Sequence, residues 1–213
     1  MKKENKMYGY KVYINLFLYK IGLRHILPST IINNKRIKEC GEPLVKYKNV
    51  RVRKSVADML KKAQNLLPSG YSLKILCGYR SLTEQQKNWN DGIKKLKRQF
   101  PELSLSEIEN KNRKMNADPR HDFGPHQTGG AIDLTLLYKN KSVDMGGEYM
   151  SEINSKTRTT NITKQQKLNR NILIKTMRMS GFQNYPNEWW HWSFGDRAYA
   201  AYKHKKYAIY GKI

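Results

Sequence analysis

Four side chains in two short strings carry most of the chemistry this sequence offers. The first string is Pro125-His126-Gln127-Thr128-Gly129-Gly130-Ala131-Ile132-Asp133. Its glycine pair permits a tight bend after His126, so His126 and Asp133 can converge although they are well separated along the chain. The second is Glu188-Trp189-Trp190-His191-Trp192. On a flat strand, residues three apart face opposite sides. Glu188 and His191 therefore share a site only if the chain bends near Pro186, or if Glu188 still belongs to the turn. A helix would put both on one face, but Pro186 and the run of tryptophans argue for a strand.

Imidazole and carboxylate are both zinc ligands, and two His with one Asp leave the fourth tetrahedral position for water, the mark of a catalytic site. Zinc lowers the pKa of that water to about 7. An uncommitted carboxylate such as Glu188 can take the water's proton and return it to a leaving amine. The oxyanion formed in between needs a fixed positive charge beside it. Each residue also has an ordinary reading: histidine as a surface or hydrogen-bonded residue, Asp after a glycine pair as a turn or cap, tryptophan as core packing. No compact His-Glu-x-x-His string is present. His25, His121 and His204 have no comparable setting and are read as non-ligands, His121 being the nearest in sequence to His126. Cys40 and Cys77 form no CxxC and are read as separate thiols, Cys77 inside an apolar strand. A disulfide between them would need an oxidising compartment.

The elements that must position these groups are legible in places. Val52, Val56, Met59, Leu60, Ala63, Leu66 and Leu67 recur at helical spacing until Pro68-Ser69-Gly70 stops them. Tyr71 to Tyr79 reads as a buried strand with Leu73, Ile75 and Cys77 on one face. Ser81-Leu82-Thr83-Glu84 is a capping box that starts a helix running toward Phe100, so Arg80 falls where a strand ends and a helix begins. Residues 101–125 read as loop, Ala131 to Tyr138 as a strand, and Lys164 to Ser180 as a helix ended by Gly181. After the Asn184-Tyr185-Pro186-Asn187 turn, Glu188 to Phe194 reads as a strand. This irregular alternation predicts an α+β fold in which a small antiparallel sheet, flanked by helices, carries the site. Residues 1–38 are expected to form an N-terminal extension and residues 39–213 the domain.

The 213 residues, 38% of them hydrophobic, suffice for one domain with a core of its own. The net charge of +24 raises nucleic acid or an anionic polymer as a ligand. The basic residues, however, are scattered, with only short runs such as Lys94-Lys95 and Lys203 to Lys206, which argues against nucleic acid. No stretch has the length of a membrane span. The start is basic and Val12 to Leu18 partly apolar, but Lys20 and Arg24 interrupt and no cleavage site follows. A retained N-terminal segment is expected, and nothing in it contradicts a cytoplasmic location. Oligomeric state has no signature in the sequence.

The two strings resemble the metal motifs of the D-alanyl-D-alanine dipeptidases, the zinc peptidase family that includes the vancomycin-resistance dipeptidases. That family's first motif is Ser-x-His-x-x-Gly-x-Ala-x-Asp, against Gly124 to Asp133 here; its second is Glu-Trp-Trp-His, against Glu188 to His191. Gly78-Tyr79-Arg80 matches its Gly-Tyr-Arg, and the likeness extends from about Glu39 to Gly211, through Gly41-Glu42-Pro43-Leu44, Met145-Gly146 and Gly195-Asp196-Arg197. The resemblance implies one zinc per chain held by His126, Asp133 and His191, Glu188 as base and then acid, and Arg80 beside the oxyanion. It also implies a fold shared with hedgehog-like and D-Ala-D-Ala carboxypeptidase domains, and hydrolysis of free D-Ala-D-Ala, a dipeptide of cell-wall metabolism, in a small closed cavity. Gly124 departs from the motif's Ser, which leaves the metal site intact and touches the substrate fit. Two rivals follow. A peptidase of longer peptidoglycan stem peptides would have an open groove. A zinc-containing basic module binding anionic wall polymer or nucleic acid would need neither Glu188 nor Arg80.

Overall fold

The computed structural model describes residues 26–27, 29–114, 116–120 and 123–213. The expectations for residues 1–25, His25 among them, and for His121 lie outside these. The described residues ahead of the first strand include a short helix, α1 (Ser29–Asn33). Ile32 of this helix and Leu27 pack against Ala201 and Tyr202 near the other end of the chain. Lys38 N–H then donates to Ala208 O at 2.8 Å and Cys40 N–H to Ile209 O at 3.0 Å, tying this segment to the C-terminal one.

Strands β1 (Leu44–Tyr47) and β2 (Val50–Arg53) pair as an antiparallel hairpin, and α2 (Lys54–Leu66) follows without a linker. Val52 thus belongs to a strand and not to the helix whose spacing it shares. It is buried with Val56 and Leu60 in one core, and core-facing residues of a strand and an adjoining helix can mimic a single period. After β3 (Tyr71–Cys77) comes α3 (Leu82–Gln99), opened by the expected capping box: Ser81 N–H donates to Glu84 Oε2 at 2.7 Å, and Glu84 N–H to Ser81 Oγ at 3.2 Å. Residues 101–125 are not all loop. Helix α4 (Leu105–Asn112) forms there behind its own capping box, Ser104 with Glu107. It buries only Ile108 and Asn112, too few apolar positions to show a period, and Asn112 anchors it by donating to Trp89 O of α3 at 3.0 Å.

The chain continues through β4 (Ala131–Tyr138), β5 (Lys141–Ser142), α5 (Lys164–Met179), β6 (Gln183–Asn184), β7 (His191–Ser193) and α6 (Arg197–Tyr202). Gly181 ends α5 in the left-handed region at φ +102°. The strands form an antiparallel sheet in the order β3-β4-β7-β6, with β5 also paired to β4. This is the expected α+β architecture. Leu73, Ile75, Leu134 and Leu136 of the sheet meet Leu60 of α2 and Leu173 and Met177 of α5 in the core, where each buried side chain contributes about 1.5–3 kcal/mol. The strand expected from Glu188 shortens to three residues. The Pro186-Asn187 turn delays it: Glu188 N–H donates to Tyr185 O at 3.0 Å, and His191 N–H back to Glu188 O at 3.3 Å. Among the described residues, no helix is long and apolar enough to cross a membrane.

Candidate active site

Register puts three chemically competent residues in a row across the sheet. Leu73 and Ile75 of β3 face Leu136 and Leu134 of β4; a bulge then sets Cys77, not Leu76, opposite Asp133. Cross-strand partners share a face, so the extra residue swings the thiol off the Leu73–Ile75 face and onto that of Asp133. The expectation that Cys77 lies with Leu73 and Ile75 is corrected by this bulge. On the other side of β4, Asp133 pairs with His191 of β7.

His126 arrives from the single 3₁₀ turn Pro125–Thr128 that precedes β4. Gly129 closes this turn at φ +70°, and a Cβ there would lie 2.5 Å from Leu44 Cδ2; one on Gly130 would lie 2.4 Å from Phe194 O. The glycine pair is thus required both for the bend and for close contact with β1 and the end of β7. The imidazole that results is buried, with Nδ1 2.8 Å from Gly78 O and Nε2 3.4 Å from Asp133 Oδ2. A carbonyl can only accept, so Nδ1 carries a proton and Nε2 faces the carboxylate. His191 Nδ1 lies 2.9 Å from the other oxygen, Asp133 Oδ1, and 3.9 Å from Glu188 Oε2. Asp133 is 2% exposed. Burial alone would raise its pKa, but the two imidazoles outweigh it and hold the carboxyl well below the usual range. Burial likewise pulls His126 down, and Asp133 and Cys77 outweigh it, so its pKa stands well above the ordinary value.

A buried carboxylate between two imidazoles calls for positive charge, supplied by protons or by a cation. The donor set suits a divalent metal. Tetrahedral bonds of about 2.0–2.1 Å put neighbouring N and O ligands roughly 3.3 Å apart, close to the 3.4 Å between His126 Nε2 and Asp133 Oδ2. The Gly78 carbonyl fixes the His126 ring as outer partners of metal-binding histidines do. Cys77, His126 and Asp133 also bring three donor atoms within 4.8 Å of one another. The thiol, however, accepts from Arg80 Nη2 at 3.1 Å and lies 3.8 Å from the engaged Nδ1 of His126. His191 Nδ1 instead has carboxylate oxygens of Asp133 and Glu188 beside it.

Arg80 is fixed from three sides. Its backbone N–H donates to His126 O at 3.2 Å, Nη1 to Gln85 Oε1 at 2.9 Å, and Nη2 to Cys77. Glu188, held in the turn, opens onto the same cleft as Arg80, His126, Asp133 and His191, a space of about 780 Å³. Burial pushes the Glu188 carboxyl above its ordinary value, against the pull of the imidazoles. Gly124 lines this cleft too; Gln127 Oε1 accepts from its N–H at 2.7 Å and would lie 3.0 Å from a Cβ there. All five residues singled out in the sequence therefore meet at one cleft. Cys77 and Gln85 were missed as neighbours of Arg80, although their places just before and after Gly78-Tyr79-Arg80 were a signal for both. Cys40 and Cys77 are free thiols, and His204 is not among the residues that line the cleft.

An antiparallel sheet that presents Asp133 and His191, with His126 from the turn ahead of β4 and a spare carboxylate beside them, has the layout of a metallopeptidase. Residues 41–209 match the family described as D-ala-D-ala dipeptidase, and the chain belongs to that family. It is 31% identical over 172 residues to a D-alanyl-D-alanine dipeptidase of Enterococcus faecalis, spanning 75% of this chain and 81% of that protein. It is 35% identical over 108 residues to a D-alanyl-D-alanine dipeptidase of Synechocystis sp., spanning 42% of this chain and only 44% of that relative's length. Its fold is similar to that of the vancomycin resistance D,D-pentapeptidase VanY, a mutant from a VanB-type cassette solved in complex with Zn(II). That likeness has a TM-score of 0.53 at 16% identity and covers 83% of this chain and 91% of the other.

Proposed function

We propose that this chain is a zinc-dependent dipeptidase that hydrolyses D-Ala-D-Ala, or a closely related D-amino-acid dipeptide of cell-wall metabolism, with one zinc held by His126, Asp133 and His191. The observation that carries the reading is the buried Asp133 with an imidazole on each of its oxygens and Glu188 beside one of them. Zinc in that set would lower the pKa of a water to about 7 and polarise the scissile carbonyl. Glu188 takes the proton of the attacking water and passes it to the leaving amine. Its raised pKa brings it nearer to the value at which a group can do both. Arg80, held by Gln85 and Cys77, places its guanidinium where negative charge develops on the carbonyl oxygen. A non-catalytic binding module would have no use for either residue at the cleft.

One observation favours a second reading. A cleft of about 780 Å³, reaching Ser29 and Ile32 of α1, is roomy for a dipeptide and suits a longer stem peptide ending in D-Ala-D-Ala. The test is release of free D-Ala from the dipeptide and from such a pentapeptide, each with and without a zinc chelator. Chelator-sensitive release from the dipeptide supports the first reading. Release from the pentapeptide alone would replace it with the second.

A further inference from the structure

Asp133 has a third neighbour. Tyr149, in the segment between β5 and α5, donates its hydroxyl to Asp133 Oδ2 at 2.9 Å. This is the oxygen that faces His126 Nε2, while Oδ1 faces His191. A carboxylate oxygen has two lone pairs, so Oδ2 can keep the Tyr149 hydrogen bond while its other lone pair turns to a cation.

The placement of Tyr149 is built rather than incidental. Its ring stands edge-on against Trp190, with centroids 5.6 Å apart at 82°, and Trp190 is fully buried. The segment around it is clamped by Arg170, a buried cation on α5. Its Nε donates to Met145 O at 2.7 Å, Nη2 to Asn154 O at 2.7 Å, and Nη1 to Lys156 O at 2.6 Å. Those carbonyls lie on both sides of Tyr149 in sequence. Gly146 makes the turn ahead of it at φ +74°, where a Cβ would strike Ile162 Cγ2 at 2.5 Å.

We infer that Tyr149 is a positioning residue for the metal: its hydroxyl sets the rotation of the Asp133 carboxylate, so that Oδ2 is held toward His126 and Oδ1 toward His191. The inference rests on the metal reading given above. Removing an outer-shell partner of a metal ligand typically weakens metal binding about 10- to 100-fold.

Tyr149→Phe keeps the ring and its contact with Trp190 and removes only the hydroxyl. Zinc affinity, measured by competition with a chromogenic chelator, is expected to fall about 10- to 100-fold, with a shift in the visible spectrum of the cobalt-substituted protein and an unchanged far-UV circular dichroism spectrum. Equal zinc affinity in variant and wild type overturns the inference alone. Weakened affinity accompanied by loss of the folded spectrum also overturns it, since Tyr149 would then be holding the fold. A wild-type protein that binds no zinc overturns the metal reading, and this inference with it.

Discussion

Asp133 and His191 are cross-strand partners in β4 and β7, and their side chains meet at 2.9 Å. Sheet register, set by the core, thus decides whether two of the proposed ligands can touch. Under this reading His126→Ala and His191→Ala lose stoichiometric zinc while keeping the sheet, because each removes one donor and leaves the Asp133–Tyr149 pair in place. Metal analysis after gel filtration checks it; a full zinc complement in either variant would refute the ligand assignment.

Gly130 tests the register itself. A Cβ there would meet the Phe194 carbonyl at 2.4 Å, across the point where Phe194 N–H donates to Gly130 O at 2.9 Å. Gly130→Ala must push β4 and β7 apart. It is expected to cost about 1–3 kcal/mol of stability and to weaken zinc binding in the same protein. Urea unfolding and chelator competition measure the two effects, and a variant as stable as wild type would show that the contact can relax freely.

Arg80→Ala is expected to lower kcat by about 10²- to 10³-fold with little change in KM, the signature of a group that acts on developing charge. Gln85→Ala, which frees one edge of the guanidinium, should lower kcat in the same direction by less. A change confined to KM would make Arg80 a substrate-binding residue.

The pH dependence follows from Glu188. Burial lifts its carboxyl above the ordinary value of 4.5, and a general base works only when ionised. The rate kcat/KM should therefore be full at neutral pH and fall as pH drops through a pKa above 4.5. A profile flat down to pH 4.5 would point to a base other than this carboxylate.

Arg170 is buried at 2% exposure and donates to four backbone carbonyls. Truncation to Met would leave those acceptors buried without a donor, at a cost of about 1–3 kcal/mol or more. Thermal unfolding of Arg170→Met measures it, and an unshifted midpoint would mean that water replaces the guanidinium at little cost.

The parts of this molecule that were legible in the sequence are those whose signals are local. The capping box at Ser81, the glycine pair after His126 and the stop at Gly181 each depend on a few adjacent residues, and all three stand as expected. What escaped depends on partners distant in sequence. The bulge that turns Cys77 toward Asp133 is a property of the β3–β4 register, which no single strand encodes. Tyr149 reaches Asp133 because Arg170 of α5 clamps an otherwise irregular segment, a contact between residues far apart in the chain that the helical setting of Arg170 does not announce. Val52 shares the spacing of a helix it does not belong to because core-facing positions of β2 and α2 run together in phase. Whether Glu188 could join His191 stayed open at the level of spacing, since the answer lay in where the Pro186 turn releases the chain.

Glu188-dependent zinc hydrolysis of D-Ala-D-Ala is tested by comparing wild type with Glu188→Ala, both metal-replete, for release of free D-Ala. Equal zinc content and a loss of turnover of about 10²- to 10⁴-fold or more are expected in the variant, as removal of an acid–base group gives. Near-normal release by a zinc-loaded Glu188→Ala protein would contradict this role of Glu188.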